Sequence, residues 1–460
     1  MQMAVFKPSQ PINNAKMKRK EFLQKSSLSL LALSVFKWPA IEQVELESNW
    51  AGNLTYHRKE LFAPKSRAEL MDVVKKIKNG KALGSKHSFN TVADTNSSHI
   101  SLVYLNKVLE LDEVNKLVWV ESGIRYGTLG KWLDARGYAV HNLASLPHIS
   151  VMGAASTGTH GSGDKNGNLS TAVAAIELIK ADGTALLLTE KDPKFYGAVV
   201  SLGALGVMYK VALKIQPKFE VTQHVFENLP MAKLKDHFDE IFGSGYSVSM
   251  FTHWLDKNIN QLWIKRRTDQ PYSALGKEFL GATAATTNLH PIKVNSPINC
   301  TDQMGVPGPW YERLPHFKMD FTPSNGAELQ SEFFVPRKMA YQAIMAIESM
   351  HKEIHPILYV TELRSIAADN FWMSPAYKQD IVAIHFTWKP MNEEVQKILP
   401  KIEAKLKPFN GKPHWGKITR ISKDDLSKRY VKWNDFKQLR KEMDPSNKWT
   451  NDFLMNLGLV

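Results

Sequence analysis

The chain has 460 residues, of which 43% are hydrophobic and 23% charged, so it can form about two or three domains with a substantial core. The formal net charge is +14, but lysine and arginine are scattered and no nucleic-acid-binding motif accompanies them, so we predict no nucleic-acid partner and interpret the charge as a solvated basic surface. Cys300 is the single cysteine, which excludes an intramolecular disulfide framework and a Cys-x-x-Cys metal site.

Residues 1–47 are predicted to lie outside the folded domains, as an export leader or an N-terminal tail. A basic segment at Lys18–Lys20 precedes the short apolar run Leu28–Phe36, which is the layout of an export signal. Arg19–Leu23 resembles a twin-arginine leader with lysine in place of the second arginine, and no small-x-small cleavage site follows. With Met17 as an alternative start, the prediction is either export to the periplasm or a cytoplasmic protein.

The region from residue 48 to residue 220 has the pattern of one α+β domain. Ala68–Lys78 has helical periodicity with a charged face, and Lys81–Asn90 is predicted to be a strand that enters a loop at Gly84. The other predicted elements are a helix at Tyr126–Gly137 and strands at Ile100–Leu111, Leu117–Ser122, Ala172–Lys180, Ala185–Thr189 and Met208–Ile215.

Inside this region, the stretch Asn142–Gly163 is rich in glycine, serine, threonine and histidine. Glycine lets a backbone approach a ligand closely, and short hydroxyl side chains supply hydrogen-bond donors. We interpret the stretch as a loop wrapped around a large polar cofactor. On composition alone, an ordinary surface loop remains the alternative.

The pattern changes at Pro217–Glu220, and residues 221–412 are predicted to form a second, α+β substrate domain with an antiparallel sheet backed by helices. A long loop rich in proline and glycine, Ser296–Pro315, is a further functional candidate. The predicted helices and strands of this domain are Met339–His351, Glu393–Leu406, Val248–Trp254, Gln261–Arg266, Glu332–Val335, Leu358–Ser365 and Ile381–Trp388.

Several common cofactor motifs are absent from the sequence. It has no GxGxxG after a predicted strand and no GxxxxGK[ST], which disfavours a Rossmann nicotinamide enzyme and a P-loop NTPase. His148 and His160 have no acidic neighbour in the sequence, so we predict no metal site.

The segment Gly84–Ser88 combines successive backbone N–H groups with a serine and a lysine, which together can cradle a pyrophosphate. From the residues alone, His87 in this segment is a point of covalent flavin attachment, a catalytic base or a structural histidine.

A second group of candidates lies in the later part of the chain. Glu362 and Arg364 are two apart on a predicted strand and therefore share a face, with a structural ion pair as the alternative reading. His385 and Thr387 share a strand face in the same way, and Lys417 follows His414 in the motif HWGK. Oxidation of an alcohol needs a group that binds or accepts the hydroxyl proton and cations that stabilise negative charge, which Glu362, Arg364 and Lys417 can provide. Since no side chain accepts a hydride, a redox cofactor is required.

Nine motifs in order from about Trp50 to Phe453 resemble those of the FAD-dependent alditol oxidases, the xylitol and sorbitol oxidases. That family belongs to the aldonolactone-oxidase branch of the vanillyl-alcohol-oxidase, or PCMH-type, flavoprotein superfamily. The motifs are GSKHSFN, NLASLPHISVMG, TGTHGSG, SLGALGV, CTDQMGVPGPW, ELQSEFFVPR, TELRSIAAD, HFTW and PHWGK.

The resemblance implies an FAD-binding domain made of residues 48–220 and 413–460, with residues 221–412 as a substrate (cap) domain between them. It implies that His87 is linked covalently to the flavin ring and that Ser145 contacts both substrate and flavin. The catalytic and substrate-binding residues that it implies, besides Ser145, are Glu362, Arg364, Thr387 and Lys417. The residues implied to bind FAD, besides His87 and Ser145, are Gly84, Ser85, Lys86, Ser88, Ser150, Gly153, Thr157, Gly158, Thr159, His160, Val207 and His414.

The implied reaction is transfer of a hydride from C1 of an alditol to FAD, which gives an aldose, with oxygen reduced to hydrogen peroxide. An oxidase or dehydrogenase of arabinono- or gulonolactone on the same flavin site is the nearest alternative, and a dehydrogenase that uses an acceptor other than oxygen is another. A basic, non-catalytic binding protein is the alternative from a different class. We expect a small-molecule substrate, no metal and a monomer.

Overall fold

The computed structural model describes residues 47–319 and 328–460, and two antiparallel sheets contain most of its strands. Of the predicted leader or tail, residues 1–47, all but residue 47 lie outside the described residues. No helix among the described residues is long and apolar enough to cross a membrane. The mixture of helices and antiparallel sheets confirms the predicted α+β class.

The N-terminal half contains a five-stranded antiparallel sheet and a small parallel sheet. In order across the first sheet, its strands are Val108–Asp112, Leu117–Glu121, Val207–Lys214, Val173–Ile179 and Ala185–Thr189. Those of the parallel sheet are Glu60–Phe62, Ser98–Ser101 and Gly80–Leu83, and Tyr138–Ala139 pairs separately with Gln216–Pro217.

The single strand predicted at Ile100–Leu111 is wrong, because this segment contains parts of two strands that belong to different sheets. Between them, the Leu105 N–H donates to the Leu102 carbonyl in a tight turn. The Gly123 N–H donates to the Leu105 carbonyl and thereby fixes that turn. Residue 123 has no room for a side chain, because a Cβ there would lie 1.9 Å from the Leu102 oxygen.

The helices of the N-terminal half are Arg67–Lys76, Tyr126–Asp134, Val151–Ala155 and Phe195–Ala198. The first is capped by the Ser66 hydroxyl, which accepts from the Glu69 N–H. Val151–Ala155 corrects our reading of Asn142–Gly163 as loop throughout. Its residues Val151, Met152 and Ala155 are buried in the main core, and this apolar spacing favours a helical turn.

The later part of the chain builds a ten-stranded antiparallel sheet, backed on one face by the helices Ala340–Glu348 and Asn392–Leu406. The remaining helices of this part are Phe238–Gly243, Trp310–Arg313 and His351–Ile354. In order across the sheet, the strands are Glu278–Phe279, Ala282–Ala284, Glu220–Pro230, Asn258–Arg267, Ser247–Thr252, Leu358–Ile366, Ile381–Trp388, Leu329–Pro336 and Lys412–Pro413, with Gly308–Pro309 also paired to Glu220–Pro230.

Glu220–Pro230 was not predicted as a strand, although it forms one of the longest pairings of the sheet. Polar residues interrupt its apolar pattern. One of them, Gln223, is fully buried and donates to the Thr301 carbonyl. This contact with a distant segment allows a polar residue inside the strand, and the local sequence pattern does not show it.

Alternation along the central strands divides this sheet into an apolar and a polar face. Leu363 and Ile384 belong to the core that packs on the helices. Glu332, His385 and Glu362 are direct neighbours in register on three adjacent strands, so they form a polar row across the opposite face.

The C-terminal segment contacts the N-terminal half through the helices Lys423–Arg429, Trp433–Met443 and Asp452–Asn456. The Asn451 amide donates to the carbonyls of Thr91, Val92 and Asp94, 3.1, 3.2 and 2.8 Å away. All described residues belong to one compact unit. The predicted domain boundaries at residues 220 and 412 stay predictions.

Candidate active site

A large cavity is lined on one side by loops of the N-terminal half and on the other by the polar face of the ten-stranded sheet. Residues from both halves of the predicted site therefore face the same space. The predicted residues that line it are Gly84, Ser85, Lys86, His87, Ser88, Ser145, Ser150, Gly153, Thr157, Thr159, His160, Glu362, Arg364, Thr387, His414 and Lys417.

Two predicted FAD-binding residues, Gly158 and Val207, do not line the cavity. Gly158 has φ +66° and forms the turn between Thr157 and Thr159, which do line it. Val207 begins a strand, and its neighbour Gly206 lines the cavity. The structure thus places both residues beside the cavity wall rather than on it.

His87 is held against the cavity wall in one orientation. Its Nδ1 lies 2.6 Å from the Ser85 carbonyl oxygen and donates to it, and its ring stacks on Trp50 with 5.3 Å between centroids. Nε2 is buried without a hydrogen-bond partner in the protein. Burial lowers the pKa of His87 to about 4, so at neutral pH the imidazole is uncharged and carries a lone pair.

The Lys86 side chain has a partner within the protein, although its position in the loop suggests that it contacts a pyrophosphate. Its ammonium forms an ion pair with Glu47, so the charge is already partnered by a carboxylate of the protein. Its backbone is left-handed, with φ +62°, a conformation that is costly for a residue with a Cβ and is found most often at functional sites. The turn at Lys86 leads directly into His87.

Buried hydroxyls along the cavity lack partners. Ser122, Ser150 and Ser201 all line the cavity, and each has a buried Oγ with no hydrogen-bond partner. The Ser150 hydroxyl fits between two glycines, since a Cβ on Gly84 or Gly153 would lie 2.6 or 2.5 Å from it. Unsatisfied buried hydroxyls are costly, so this wall fits a polar ligand that supplies the missing hydrogen bonds.

Glu362 and Arg364 meet at the cavity on neighbouring positions of one strand face. The Arg364 Nε lies 3.2 Å from the Glu362 carboxylate, and its Nη1 donates to the Ser145 hydroxyl at 3.2 Å. His316 Nε2 lies 2.7 Å from the same carboxylate. These partners outweigh burial and hold the pKa of Glu362 well below its usual range, so Glu362 is a carboxylate at neutral pH.

Lys417 is fixed by two groups on the polar face. Its Nζ lies 2.8 Å from the Glu332 carboxylate and 2.8 Å from His385 Nδ1. His385 Nε2 in turn lies 3.1 Å from the Thr387 hydroxyl. Burial lowers the pKa of Lys417 and the Glu332 carboxylate opposes that shift, so Glu332 favours the cationic form.

His160 and His414 lie at the junction between loop and sheet. His160 Nε2 is 3.0 Å from Glu332, and His414 Nδ1 accepts from the Gly416 N–H at 3.0 Å. His414 Nε2 is 3.4 Å from the Thr159 hydroxyl. The second half of Asn142–Gly163 is thereby tied to the strand that carries Glu332.

Three buried residues that contribute to this arrangement were missed from the sequence: Lys265, His316 and Glu332. Glu332 lies between a serine and a phenylalanine on its strand, and its link to Lys417 appears only once the strand order is known. His316 directly follows the loop Ser296–Pro315, which was the one available signal. Within residues 47–319 and 328–460, no group of three or more histidine, cysteine, aspartate or glutamate residues could hold a metal ion.

Two protein-family models match the segments that carry the two sides of the cavity. Residues 59–189 match the family model of an FAD-binding domain, and residues 322–457 match that of D-arabinono-1,4-lactone oxidase. The first match contains the His87 loop and the stretch Asn142–Gly163, so residues 59–189 belong to an FAD-binding domain. The unpaired hydroxyls and the free nitrogen of His87 lie on the wall that this domain contributes.

Two curated relatives span nearly the whole chain. An alditol oxidase from a Streptomyces species is 44% identical over 413 residues, which cover 89% of this chain and 98% of the relative. An L-gulono-1,4-lactone dehydrogenase from Mycobacterium tuberculosis is 28% identical over 88% of this chain and 97% of the relative. Among solved structures, a cholesterol oxidase from B. sterolicum shares the fold with a TM-score of 0.72 and 12% identity, over 92% of this chain and all of that chain.

Proposed function

Because the chain belongs to the FAD-dependent alditol oxidases, in the aldonolactone-oxidase branch of the PCMH-type flavoproteins, we propose that it oxidises the C1 alcohol of a polyol to an aldose. Oxygen is the electron acceptor and hydrogen peroxide the second product. The observation that carries the proposal is one cavity in which Glu362, Arg364 and Lys417 face the His87 loop of an FAD-binding domain.

FAD is proposed to be attached covalently through His87. The imidazole is neutral, is oriented by Ser85 and Trp50, and keeps one ring nitrogen without a partner, so His87 would be the residue that holds the flavin. The hydroxyls of Ser122, Ser150 and Ser201 supply hydrogen bonds to the same group. When bound, FAD supplies the hydride acceptor that no side chain can provide.

The substrate is proposed to lie over the polar face of the sheet. The Glu362 carboxylate accepts a hydrogen bond from the reacting hydroxyl; its low pKa makes it an orienting acceptor rather than a strong base. Arg364 and Lys417 stabilise negative charge as it develops on the substrate oxygen, in a site from which water is largely excluded. Ser145, held by Arg364, and Thr387 contact further hydroxyls.

Oxidation of an aldonolactone is the second candidate. The match of residues 322–457 to the D-arabinono-1,4-lactone oxidase model favours it, since this range contains Glu362, Arg364, Thr387 and Lys417. A cyclic lactone presents an alcohol to the same groups. The difference between 44% identity to an alditol oxidase and 28% to a lactone dehydrogenase favours the polyol.

The substrate assignment is tested by hydrogen peroxide formation in air. Xylitol and sorbitol are compared with D-arabinono-1,4-lactone and L-gulono-1,4-lactone at equal concentrations. We expect kcat/KM for at least one polyol to exceed that for both lactones. Turnover of a lactone alone would replace the first candidate by the second.

The attachment is tested by acid precipitation of the purified protein. We expect a yellow protein whose flavin stays in the pellet, and a His87→Ala variant whose flavin is released into the supernatant. His148→Ala is the matched control, because His148 lies in the neighbouring loop, bonds the Met319 carbonyl at 2.8 Å and does not line the cavity. Flavin that stays in the His87→Ala pellet would refute attachment through this residue.

A further inference from the structure

Next to Glu362, two further buried side chains extend the polar contacts: His316, which lines the cavity, and Lys265, which does not. Lys265 Nζ lies 3.1 Å from His316 Nδ1, and His316 Nε2 lies 2.7 Å from the Glu362 carboxylate. All three residues are at least 94% buried, and Lys265 is 1% exposed. A lysine, an imidazole and a carboxylate are therefore connected by direct contacts. Of these three residues, Glu362 is the one that the sequence predicts to be part of the site.

The contacts of Lys265 determine which atoms carry protons. Its Nζ lies 2.6 Å from the Leu314 carbonyl, 2.9 Å from the Pro315 carbonyl and 3.1 Å from His316 Nδ1. His316 Nε2 faces the ionised Glu362 carboxylate at 2.7 Å and carries the single proton of the neutral ring, so Nδ1 is an acceptor. The Lys265 amine then meets three acceptors, which only an ammonium with three N–H groups satisfies at once. Burial lowers the pKa of Lys265 well below its ordinary value, and the nearby Glu362 charge opposes that shift.

The protonation state of His316 agrees with these contacts. Burial and Lys265 lower the pKa of His316 to about 4, so the ring is neutral at neutral pH and carries one proton. That proton is on Nε2, and Nδ1 accepts from Lys265. The Nε2–H therefore donates to the Glu362 carboxylate, and the charge of Lys265 favours a carboxylate at that end.

We infer that Lys265 and His316 are positioning residues that keep Glu362 ionised and oriented toward the reacting hydroxyl. The inference deepens the proposed function and rests on it. Both residues act through Glu362, since Lys265 does not line the cavity and His316, which does, directs its Nε2–H to the Glu362 carboxylate. Lys265 and His316 thus set the orientation of the carboxylate that a polyol bound in the cavity contacts.

The segment that carries His316 is built to hold the ring in place. The Thr301 hydroxyl donates to the Pro315 carbonyl at 2.8 Å, and the His316 N–H donates to the Ser145 carbonyl at 3.1 Å. The imidazole also packs edge-on against Phe251 and Trp263, with centroid distances of 5.6 and 5.1 Å. Rings packed in this way have one accessible orientation.

Lys81, which lines the cavity, is a useful comparison for Lys265. Lys81 is equally buried, but its described contacts are the carbonyls of Leu202 and Gly203, and it reaches no ionisable side chain by a hydrogen bond. Lys265 uses two N–H groups in the same manner and directs the third to an imidazole that contacts Glu362. This third contact distinguishes a positioning role from simple solvation of a buried amine.

Other charged groups act on Glu362 and must be considered in any pH profile. Arg364 and His385 also lower its pKa, and Arg364 is the largest favourable influence. Lys265 is also acted on by Arg364, Arg313 and Cys300. Removing Lys265 or His316 therefore leaves the direct Arg364 partner in place, and we expect a shift of the Glu362 pKa rather than a collapse of the site.

The test compares four variants of the holoenzyme. Lys265→Met removes the charge, His316→Leu removes the donor, and His316→Gln retains a donor near the Nε2 position. Thr301→Val is the matched control, because it removes a hydrogen bond to the same Pro315 carbonyl without changing Lys265 or His316. For each protein, the pH dependence of kcat/KM for xylitol is measured from about pH 2 to about pH 9, so that the range extends toward the lowered pKa of Glu362.

A second measurement does not depend on turnover. The thermal unfolding midpoint of each holoenzyme is recorded by circular dichroism from about pH 2 to about pH 7. Because the folded-state pKa of Glu362 is lowered, its ionisation stabilises the fold above its ordinary pKa of about 4.3, and this stabilisation is lost as the pH falls toward the folded-state pKa. The onset of this loss is set by the ordinary pKa of the unfolded chain and is the same in every variant, so a variant whose folded-state pKa is less depressed has less of this stabilisation to lose in acid.

In Lys265→Met and His316→Leu, we expect the acidic limb of kcat/KM to move up by about one pH unit and the unfolding midpoint to fall less between about pH 5 and about pH 2 than in the wild type. His316→Gln and Thr301→Val should retain the wild-type acidic limb. Acidic limbs and stability profiles in Lys265→Met and His316→Leu that match Thr301→Val would overturn the inference. If no polyol is oxidised by the wild-type protein, the proposed function fails, while the unfolding profiles still decide whether Lys265 and His316 set the ionisation of Glu362.

Discussion

At the scale of single residues, the site is organised by the direction in which each hydrogen bond is donated. Lys417 donates to His385 Nδ1, which places the proton of the neutral His385 ring on Nε2 and directs it to the Thr387 hydroxyl oxygen. Burial lowers the pKa of His385 to about 4, so this arrangement holds at neutral pH. Thr387 then accepts from His385 and keeps its own O–H for a substrate oxygen. The ammonium thus orients a hydroxyl two contacts away.

Glu332→Gln should shift the alkaline limb of kcat/KM to a lower pH. The carboxylate opposes the effect of burial on Lys417, so its loss lowers the pKa of Lys417 and the cation deprotonates earlier as the pH rises. We expect a shift of about one pH unit, measured with xylitol between pH 6 and 10. Glu403→Gln is the control, because Glu403 is a buried carboxylate that bonds Thr419 and does not line the cavity. An unchanged alkaline limb in Glu332→Gln would contradict this role.

Ser145→Ala and Gly158→Ala should affect different properties of the protein. Ser145 bonds Arg364 at the cavity, so its loss should lower kcat/KM about tenfold and leave the flavin content near that of the wild type. Gly158 has φ +66°, and a Cβ there would meet Pro375 at an ordinary 3.5 Å, so alanine costs backbone strain of about 1–2 kcal/mol rather than a clash. Because this turn carries Thr157 and Thr159, Gly158→Ala should mainly lower the flavin-to-protein absorbance ratio. Equal loss of both properties in the two variants would contradict the assignment.

At the scale of elements, the sequence predicts pairs within a strand but not rows across strands. Glu362 with Arg364 and His385 with Thr387 follow from the two-residue repeat of a strand, and the structure places each pair on the cavity face. Glu332 was missed because its relation to His385 depends on strand order and register. Neither is encoded in local periodicity, since non-local pairing is decided by packing of the whole sheet.

The loop elements show the same division. The glycine- and hydroxyl-rich composition of Asn142–Gly163 predicts a ligand wall, and the unpaired Ser150 hydroxyl is consistent with it. Its internal helix Val151–Ala155 was missed because a single turn gives too short a periodic signal. Lys86 was expected to face a phosphate, but its pairing with Glu47 depends on a residue distant in the sequence.

Asn451→Ala should destabilise the junction between the C-terminal segment and the N-terminal half. The Asn451 side chain caps Asp452–Asn456 and donates to three carbonyls of residues 91–94, so its loss leaves a helix end and buried acceptors unsatisfied. We expect a loss of about 2 kcal/mol, seen as a lower urea midpoint. Asn96→Ala is the control, since this exposed residue makes a single bond to Asp452 and should change stability by less than about 0.5 kcal/mol. Equal midpoints for the two variants would contradict the proposed role of Asn451.

At the scale of the whole molecule, the fold forms a cavity between two structurally different walls. The wall from the FAD-binding domain carries His87 and unpaired hydroxyls, and the wall from the ten-stranded sheet carries ionised groups. Composition and charge excluded classes of protein but did not indicate that the cavity has two different walls. That prediction depended on the motifs along the chain that resemble those of the alditol oxidases. The buried ionic contacts of Lys265, His316 and Glu332 could not be read from the sequence, because each is formed by segments far apart in the chain.

The central claim is that a polyol bound at the Glu362, Arg364 and Lys417 wall reduces the flavin held by the His87 wall. The most direct test is anaerobic mixing of the purified protein with xylitol or sorbitol, while the flavin absorbance near 450 nm is recorded on a stopped-flow instrument. We predict complete bleaching by a polyol and recovery of the yellow colour on admission of air, with D-arabinono-1,4-lactone and L-gulono-1,4-lactone reducing the flavin more slowly. A flavin that stays oxidised with both polyols would contradict the claim.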